Sequence, residues 1–182
     1  MNKLLFYLCL SMILSCSSIK ENTLVSTTKE ESKYKYSQTG TIENVDSLYS
    51  ILKENTRENI ETNKPLVIIY HLGENHCNTY KDSYDRRNKR RLWIKQLHSK
   101  LNKIAEVKPV YIYKDTIGIN KYKGIVNYYK DPDSTIEYSF FKEQNYCSNF
   151  VVVSPNGNFI SNYGEYPKEA VWEAAKLILN KD

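Results

Sequence analysis

The sequence of 182 residues predicts an α/β domain in which helices flank a central mixed sheet. Two kinds of pattern indicate this class. Short, continuously apolar runs are typical of strands that are buried on both faces, and apolar residues spaced by three and four positions are typical of amphipathic helices. These patterns follow the order helix, strand, helix, strand, helix, strand, strand, helix. This order predicts crossover units that feed a sheet ending in an antiparallel hairpin.

The first 15 residues are expected to be a signal peptide and not part of the fold. Lys3 supplies a positive charge, and residues 4–14 (LLFYLCLSMIL) form an apolar segment. This segment is too short to span a bilayer, which needs roughly 20 apolar residues. The stretch ILSC at 13–16 resembles the lipobox of bacterial lipoproteins. The resemblance implies that Cys16 is lipidated and anchors the chain to a membrane of the cell envelope, on its periplasmic or outer surface. The alternative is an ordinary secretory signal that is cleaved elsewhere.

Residues 16–40 are predicted to be the lipidated cysteine and a flexible tether, and residues 41–182 the folded domain. The tether is polar, rich in Ser, Thr, Lys and Glu, and lacks sustained periodicity. The net charge of the chain is modest, +5 from 26 basic and 21 acidic residues that are spread along the sequence. This balance argues against a nucleic-acid partner.

The first half of the domain contains two predicted helices and two predicted strands. Residues 41–55 have the apolar spacing of a helix, with Thr41 as the expected N-cap. Residues 65–70 (PLVIIY) are predicted to form a buried central strand, and residues 110–113 (VYIY) a second strand. Between them, the stretch GENHCNTY at 73–80 leads into a long helix. The apolar residues on or near one face of that helix are Tyr80, Tyr84, Trp93, Ile94, Leu97, Leu101 and Ile104.

The second half predicts a short helix, a hairpin and a final helix. The short helix opens at DPDS, residues 131–134, where Ser134 and Glu137 have the spacing of a capping box. Residues 150–153 (FVVV) are predicted to be a buried strand, which a turn at SPNG joins to its hairpin partner. Pro167 suits the first turn of the last helix. The apolar face of that helix holds Val171, Ala174, Ala175 and Ile178.

Three stretches resemble thioredoxin-fold proteins. They are PLVIIYHLGENHCN at 65–78, DPDSTIEYSFF at 131–141 and FVVVSPNGNFISNYGEY at 150–166. Each is similar to a segment of envelope thioredoxins, and they occur in the same order, across roughly residues 63–179. The resemblance implies a thioredoxin-like sheet with an extra N-terminal helix and an activity of the thiol–disulfide oxidoreductase type.

The chain departs from that family at two positions. A thioredoxin places two cysteines in a C-x-x-C motif, whereas the matching stretch here is ENHC, with Glu74 at the nucleophile position and Cys77 at the resolving position. A shifted register would make Cys77 the nucleophile of CNTY. Peroxiredoxins would require Thr or Ser in place of Glu74. Ser148 occupies the position of the family's cis-proline, and its preceding peptide is expected to be trans because a cis bond costs roughly 3 kcal/mol there.

Two cysteines remain in the mature chain, because Cys9 leaves with the signal and Cys16 carries lipid. The resemblance implies that Cys147 approaches Cys77, and an exported pair is expected to be oxidised. One interpretation is a structural disulfide in a redox-inactive binding or scaffolding module. The other is a redox pair in which Cys77 at a helix N-terminus attacks a partner's disulfide and Cys147 resolves the product. In that interpretation Lys81 would favour the thiolate, and Glu74, His76 and Ser148 would be neighbours of the redox site.

A metal site is a third hypothesis, since the side chains of His71, Glu74, His76, Cys77 and Cys147 could converge. Sco-type copper chaperones share the fold, but they carry two closely spaced cysteines and a distant histidine, and no such set is present here. The spacing matches no standard zinc pattern either. We therefore expect no metal and no cofactor. His98 is expected to be merely exposed.

The densest cluster of charge is the basic run RRNKRR at 86–91. It is expected to be a solvated surface, and the alternative is contact with anionic headgroups or an acidic partner. Tyr111, Tyr113, Tyr128 and Tyr129 are expected to be strand and edge residues. The predicted function is thiol–disulfide exchange with an envelope protein of unknown identity.

Overall fold

The computed structural model describes residues 34–78, 82–142 and 146–180. The predicted signal peptide, Cys16 and most of the predicted tether lie outside these ranges. In chain order the helices and strands are β1 (Gln38–Thr41), α1 (Val45–Asn55), β2 (Leu66–His71), α2 (Tyr84–Ala105), β3 (Val110–Tyr113), β4 (Tyr128–Lys130), β5 (Ser148–Val153), β6 (Asn158–Tyr163) and α3 (Lys168–Leu179).

The strands form one six-stranded sheet in the order β1-β6-β5-β2-β3-β4. Strands β2, β3 and β4 are parallel neighbours, whereas β2 with β5, β5 with β6 and β6 with β1 pair antiparallel. All six residues of β2 are buried, as expected for a central strand with both faces covered. The predicted α/β class with a mixed sheet is confirmed. The predicted hairpin is confirmed as well, because β5 and β6 pair from Val153 with Phe159 to Asn149 with Tyr163.

The sheet carries a hydrophobic core on each face, because successive side chains of a strand point to opposite sides. On one face, which we call the α1 face, Ile68 and Val151 pack against helix α1 through Leu48 and Leu52. On the other, the α2–α3 face, the strands pack against helices α2 and α3. The buried residues of this second core are Val67, Ile69, Leu97, Leu101, Tyr111, Phe150, Val152, Ile160, Ala170, Val171, Ala174, Ala175 and Ile178.

The N-terminal part of the domain differs from the prediction. Helix α1 begins at Val45 and not near Thr41, and its N-cap is Asn44, whose side-chain oxygen accepts a hydrogen bond from the Ser47 amide at 3.3 Å. Thr41 instead ends strand β1, opposite Asn158 of β6. Part of the predicted tether therefore belongs to the sheet. All four residues of β1 are exposed, so the strand had no apolar pattern to predict it.

The segment that follows β4 is also different. The predicted capping box is absent: Ser134 has a left-handed backbone with φ 56°. The carboxylate of Asp131 instead accepts hydrogen bonds from the amides of Ile136 and Glu137, both at 2.9 Å. The chain forms a 3-10 turn, Pro132–Ser134, and a π-helical turn, Glu137–Phe141. These turns bury three large side chains against the α1 face, namely Ile136, Phe140 and Phe141.

Candidate functional site

Cys77 and Cys147 form a disulfide, with their Cα atoms 5.3 Å apart and 70 residues between them in sequence. Cys77 lies in the 3-10 turn Asn75–Asn78 that follows β2, and Cys147 directly precedes β5. In the antiparallel pairing of β2 with β5, His71 is opposite Ser148. The two cysteine segments therefore meet at one end of the sheet, and the predicted pairing is confirmed.

The long helix does not begin at Cys77. Helix α2 starts at Tyr84, where the hydroxyl of Ser83 caps it by accepting a hydrogen bond from the Arg86 amide at 3.3 Å. Tyr84 was predicted to lie on the apolar face of this helix, but its side chain is 79% exposed. The expectation that the N-terminus of the long helix stabilises a Cys77 thiolate thus has no geometric support. Lys81, the other expected source of positive charge, is not among the described residues.

A different lysine supplies positive charge beside the disulfide. The ammonium of Lys121 donates a hydrogen bond to the carbonyl oxygen of Cys77 at 3.2 Å. Burial lowers the pKa of Lys121, and the neighbouring Arg90 lowers it further, while Asp82 acts in the opposite direction. Sequence reasoning missed Lys121 because it lies 44 positions away from Cys77 and belongs to no recognisable motif.

Both cysteines line an open cleft of about 890 Å³. Cys77 is only 5% exposed, whereas Cys147 is half-buried. A molecule that enters the cleft therefore has better access to Cys147 than to Cys77. The prediction assigned attack to Cys77, and these exposures favour the opposite assignment.

The walls of this cleft are strongly basic. Among the residues that the structure describes, Arg86, Lys89, Arg90 and Lys121 line it, together with one carboxylate, Glu165. The first three of these belong to the run at 86–91, which was expected to be a solvated surface. Arg86 and Lys89 are exposed and Arg90 is half-buried, so these residues are accessible to solvent as expected, but they also line the disulfide cleft.

Arg90 is the best-fixed of the lining cations. Its guanidinium donates to the carbonyl oxygen of Lys121 at 2.6 Å and to the Asp82 carboxylate at 3.2 Å. The same group lies 5.1 Å from the ring centre of Tyr122, within the range of a cation–π interaction. These contacts connect helix α2 to the 3-10 turn Ile119–Tyr122, which carries Lys121 and Tyr122.

His71 closes the inner end of the cleft. It is 3% exposed, and its Nε2 atom lies 2.8 Å from the carbonyl oxygen of Ile117. Burial lowers the pKa of His71, with the positive charge of Lys121 acting in the same direction. The ring is therefore neutral at pH 7, and because a carbonyl oxygen only accepts, Nε2 carries the proton. This role is structural, as expected for a strand-end histidine.

A second cavity of about 260 Å³ adjoins the cleft and shares Arg90, Tyr122, Ser148 and Glu165 with it. Its remaining lining residues are mainly apolar or aromatic, namely Ile69, Trp93, Ile94, Tyr111, Tyr128 and Tyr166. Burial raises the pKa of the Tyr111, Tyr128 and Tyr166 hydroxyls, so these side chains remain neutral phenols. Tyr111 and Tyr128 are strand residues, as expected. Their contribution to a cavity was missed, because its tyrosines come from four separate segments.

The three predicted neighbours of the redox site have different positions. Ser148 lines the cleft, and the peptide before it is trans, as are all the peptide bonds in the described ranges. His76 is exposed and lines the cleft, with its Nδ1 atom 3.5 Å from the carboxylate of Glu74. Glu74 is also exposed.

His98, predicted to be exposed, is half-buried and lies 2.8 Å from the Tyr111 hydroxyl.

The described residues include one group of possible metal ligands, and it lies at this site. The ligand atoms of His76, Cys77 and Cys147 all lie within 4.8 Å of one another. His71 and Glu74 do not belong to this group. Because the two sulfur atoms are bonded to each other in the disulfide, neither is a thiolate ligand. Only the reduced protein could offer a metal two thiolates and an imidazole.

Comparisons of the chain with protein-family models, with curated proteins and with solved structures gave no match. In the described part of the chain, no helix combines the length and the apolar character that crossing a membrane requires. The function must therefore be argued from the site, as fold alone does not fix it.

Proposed function

We propose that this protein exchanges thiols and disulfides with a partner protein through Cys77 and Cys147. The observation that carries the proposal is the position of the disulfide, which borders an open cleft with the more exposed Cys147 on its wall. A disulfide that serves stability alone needs no access to solvent, whereas exchange requires that one sulfur be reachable by an attacking thiolate.

We also propose that the domain is thioredoxin-like. Support comes from the unit β2–α2–β3, whose strands are parallel, followed by the hairpin β5–β6 and helix α3. These four strands are adjacent in the order β6-β5-β2-β3, and β1 and β4 extend the sheet at its two edges. The disulfide then lies at the end of the sheet where the sequence resemblance expected the redox site.

The exchange proceeds in two displacements. A thiolate of a partner dithiol attacks the sulfur of Cys147, the Cys77–Cys147 bond breaks, and Cys77 leaves as a thiolate. The second thiolate of the partner then attacks the sulfur of the partner's first cysteine in the mixed disulfide. The bond to Cys147 breaks, and Cys147 is released as a thiolate. The partner is oxidised by two electrons, the pair is reduced, and the protons of the partner's thiols pass through solvent to the cysteines. In the reverse direction Cys147 attacks a partner disulfide and the buried Cys77 resolves the intermediate.

The charge around the pair suits this chemistry. Thiolates are stabilised by nearby cations, which lower a cysteine's pKa and make it a better leaving group. Lys121 contacts the backbone of Cys77, and Arg86, Lys89 and Arg90 line the same cleft. In this account these side chains have the role that the sequence assigned to a helix N-terminus.

Single-cysteine variants test the assignment of roles. Cys77→Ser and Cys147→Ser would be made in full-length protein in which Cys9 and Cys16 are also serine, so that one thiol remains. Each variant is mixed with the chromogenic disulfide 5,5′-dithiobis(2-nitrobenzoate), and the release of thionitrobenzoate is followed. We expect the Cys147 thiol to react at least about tenfold faster than the Cys77 thiol, because it is more exposed. Equal, slow rates in both variants, with the fold intact by near-ultraviolet circular dichroism, would contradict the proposal.

A second function has one specific observation in its favour. Cys77 is buried at 5% exposure, as is typical of a structural disulfide. In this alternative the domain is a redox-inactive binding or scaffolding module, and the same cleft binds a partner without exchange. The reactivity of the Cys147 thiol separates the two functions, since a permanent disulfide requires no accessible sulfur.

We further propose that lipidated Cys16 holds the domain at a membrane of the cell envelope. The support is the ILSC stretch at 13–16 after an apolar segment that is too short to span a bilayer. Metabolic labelling with a radioactive fatty acid tests this. The wild-type protein should carry the label, and Cys16→Ala should lose it. Label that remains in Cys16→Ala would contradict the assignment.

A further inference from the structure

Part of the basic run at 86–91 fixes the beginning of α2, and part of it lines the disulfide cleft. Arg87 and Arg90 are tied to the segment 121–123 by hydrogen bonds to backbone carbonyl oxygens. Arg86 and Lys89 line the cleft and are both exposed. A cleft lined by charge of one sign raises the local concentration of ligands of the opposite sign.

We propose that the cleft binds an acidic polypeptide segment of the partner, with carboxylates next to the partner's redox cysteine and an apolar side chain beside them. This inference rests on the proposed function and specifies its substrate class. Carboxylates of the bound segment face Arg86, Lys89 and Arg90 while the partner's sulfur is presented to Cys147. The apolar side chain enters the adjoining cavity of about 260 Å³.

The balance of charge supports an anionic occupant. In the described ranges, four cationic side chains line the cleft and one carboxylate does, that of Glu165, which is itself exposed. Asp82 neutralises part of this charge, since it lies 3.2 Å from Arg90 and 4.0 Å from Arg87. Lys89 takes no part in those two ion pairs. Complementary charge of this kind accelerates association and excludes partners of the same sign.

The shape of the site favours a peptide over a membrane surface. The cations line a concave space that also contains the disulfide, and a flat layer of headgroups would not reach into it. The adjoining cavity is walled by Trp93, Ile94 and neutral tyrosine side chains, among them Tyr128 and Tyr166. Such a cavity suits one apolar side chain held beside charged groups, as in peptide-recognition sites generally.

The test measures binding without exchange. Two fluorescein-labelled peptides carry serine at the cysteine position followed by leucine, and they differ only in having flanking glutamates or flanking lysines. Each is titrated by fluorescence anisotropy against oxidised full-length protein in a non-ionic detergent. We expect the acidic peptide to bind at least about tenfold more tightly at low ionic strength, with the difference shrinking as salt screens the charges.

Matched variants locate the effect in the cleft. Lys89→Glu should weaken binding of the acidic peptide by about threefold to tenfold, because it reverses one lining charge. Lys95→Glu makes the same change at an exposed position of α2 outside the cleft, and it should alter the affinity less than about twofold.

Equal affinities for the two peptides would overturn the inference, and so would equal effects of the two variants. Soluble short-chain phosphatidylglycerol is the third probe, and tighter binding of this lipid than of the acidic peptide would overturn the inference in favour of headgroup recognition. Because neither peptide contains a thiol, these outcomes are independent of whether the disulfide exchanges. The two proposals can therefore fail separately.

Discussion

The two faces of the sheet are built for different purposes. On the α1 face, helix α1 and the turns at 132–141 close over a core of aliphatic, phenylalanine and tyrosine side chains. On the α2–α3 face, the core is equally buried along the helices, but beside the disulfide it gives way to a cavity lined by tyrosines. Close packing gives the first face its stability. The α2–α3 face is less closely packed where the cleft begins, and the partner segment is expected to bind there.

The largest effect is predicted for a substitution in the core of the α1 face. Phe141 is 1% exposed and stacks on Tyr70 with ring centres 4.9 Å apart. Phe141→Ala should lower the free energy of unfolding by about 3–5 kcal/mol, because it leaves a large cavity in a rigid core. Tyr122→Ala, at the half-buried wall of the open face, should cost less than half of that. Urea denaturation measures both, and equal losses would contradict the distinction between the faces.

The disulfide offers the next test. A cross-link that closes a 70-residue separation stabilises a fold by about 4 kcal/mol in the chain-entropy model. A working redox pair should give less, since the native state must also accommodate the reduced form. We expect the oxidised and reduced proteins, with Cys9 and Cys16 replaced by serine, to differ by less than about 2 kcal/mol in unfolding free energy. A difference near the full entropic value would support the structural disulfide.

The position of Lys121 predicts a smaller effect on the redox balance. In the proposed exchange its cation stabilises the thiolates of the reduced form, so its removal should make the pair harder to reduce. We expect Lys121→Met to move the reduction potential by about 15–30 mV to more negative values. Lys123→Met, at an exposed side chain two positions along the chain, is the control and should leave the potential unchanged. An unchanged potential in Lys121→Met, or a shift to more positive values, would show that this charge does not stabilise the thiolates.

The burial of His71 predicts a dependence of stability on pH. Its pKa in the folded protein lies below 6.5, so between these two pKa values the unfolded chain binds more protons than the native state. Stability should therefore fall as pH is lowered from 7 through 6.5 toward the folded pKa. His71→Gln, whose amide can still donate to the Ile117 carbonyl, should make this loss smaller. Denaturant midpoints of both proteins, measured from pH 7 to 5.5, check this prediction. If the midpoint falls equally with pH in His71→Gln and in the wild type, the pH dependence does not come from His71.

The sequence predicted those parts of the fold that carry an apolar pattern. Strands β2 and β5 were predicted from continuous apolar runs, and helix α3 from apolar residues spaced by three and four positions. Strand β1 is wholly exposed and β4 has only three residues, so neither had a pattern strong enough to detect. The pairing of these edge strands is decided by the neighbours they meet in the folded chain.

The site was predictable in part. The pairing of Cys77 with Cys147 followed from the family resemblance and the exported cysteine count, and the structure contains it. The neighbours that determine its electrostatics could not be predicted, because Lys121 and Glu165 reach the cleft from segments far away in the sequence. The sequence also did not predict that the basic run would line the cleft, because this depends on the position at which α2 begins.

The reduction potential of the Cys77–Cys147 pair tests the central claim most directly. Full-length protein with Cys9 and Cys16 replaced by serine would be equilibrated in glutathione or dithiothreitol buffers, and its free thiols counted by alkylation and mass spectrometry. For a working redox pair we expect a potential above about −270 mV, in the range of thiol oxidoreductases. A potential below about −300 mV would contradict the account and identify the pair as a structural disulfide.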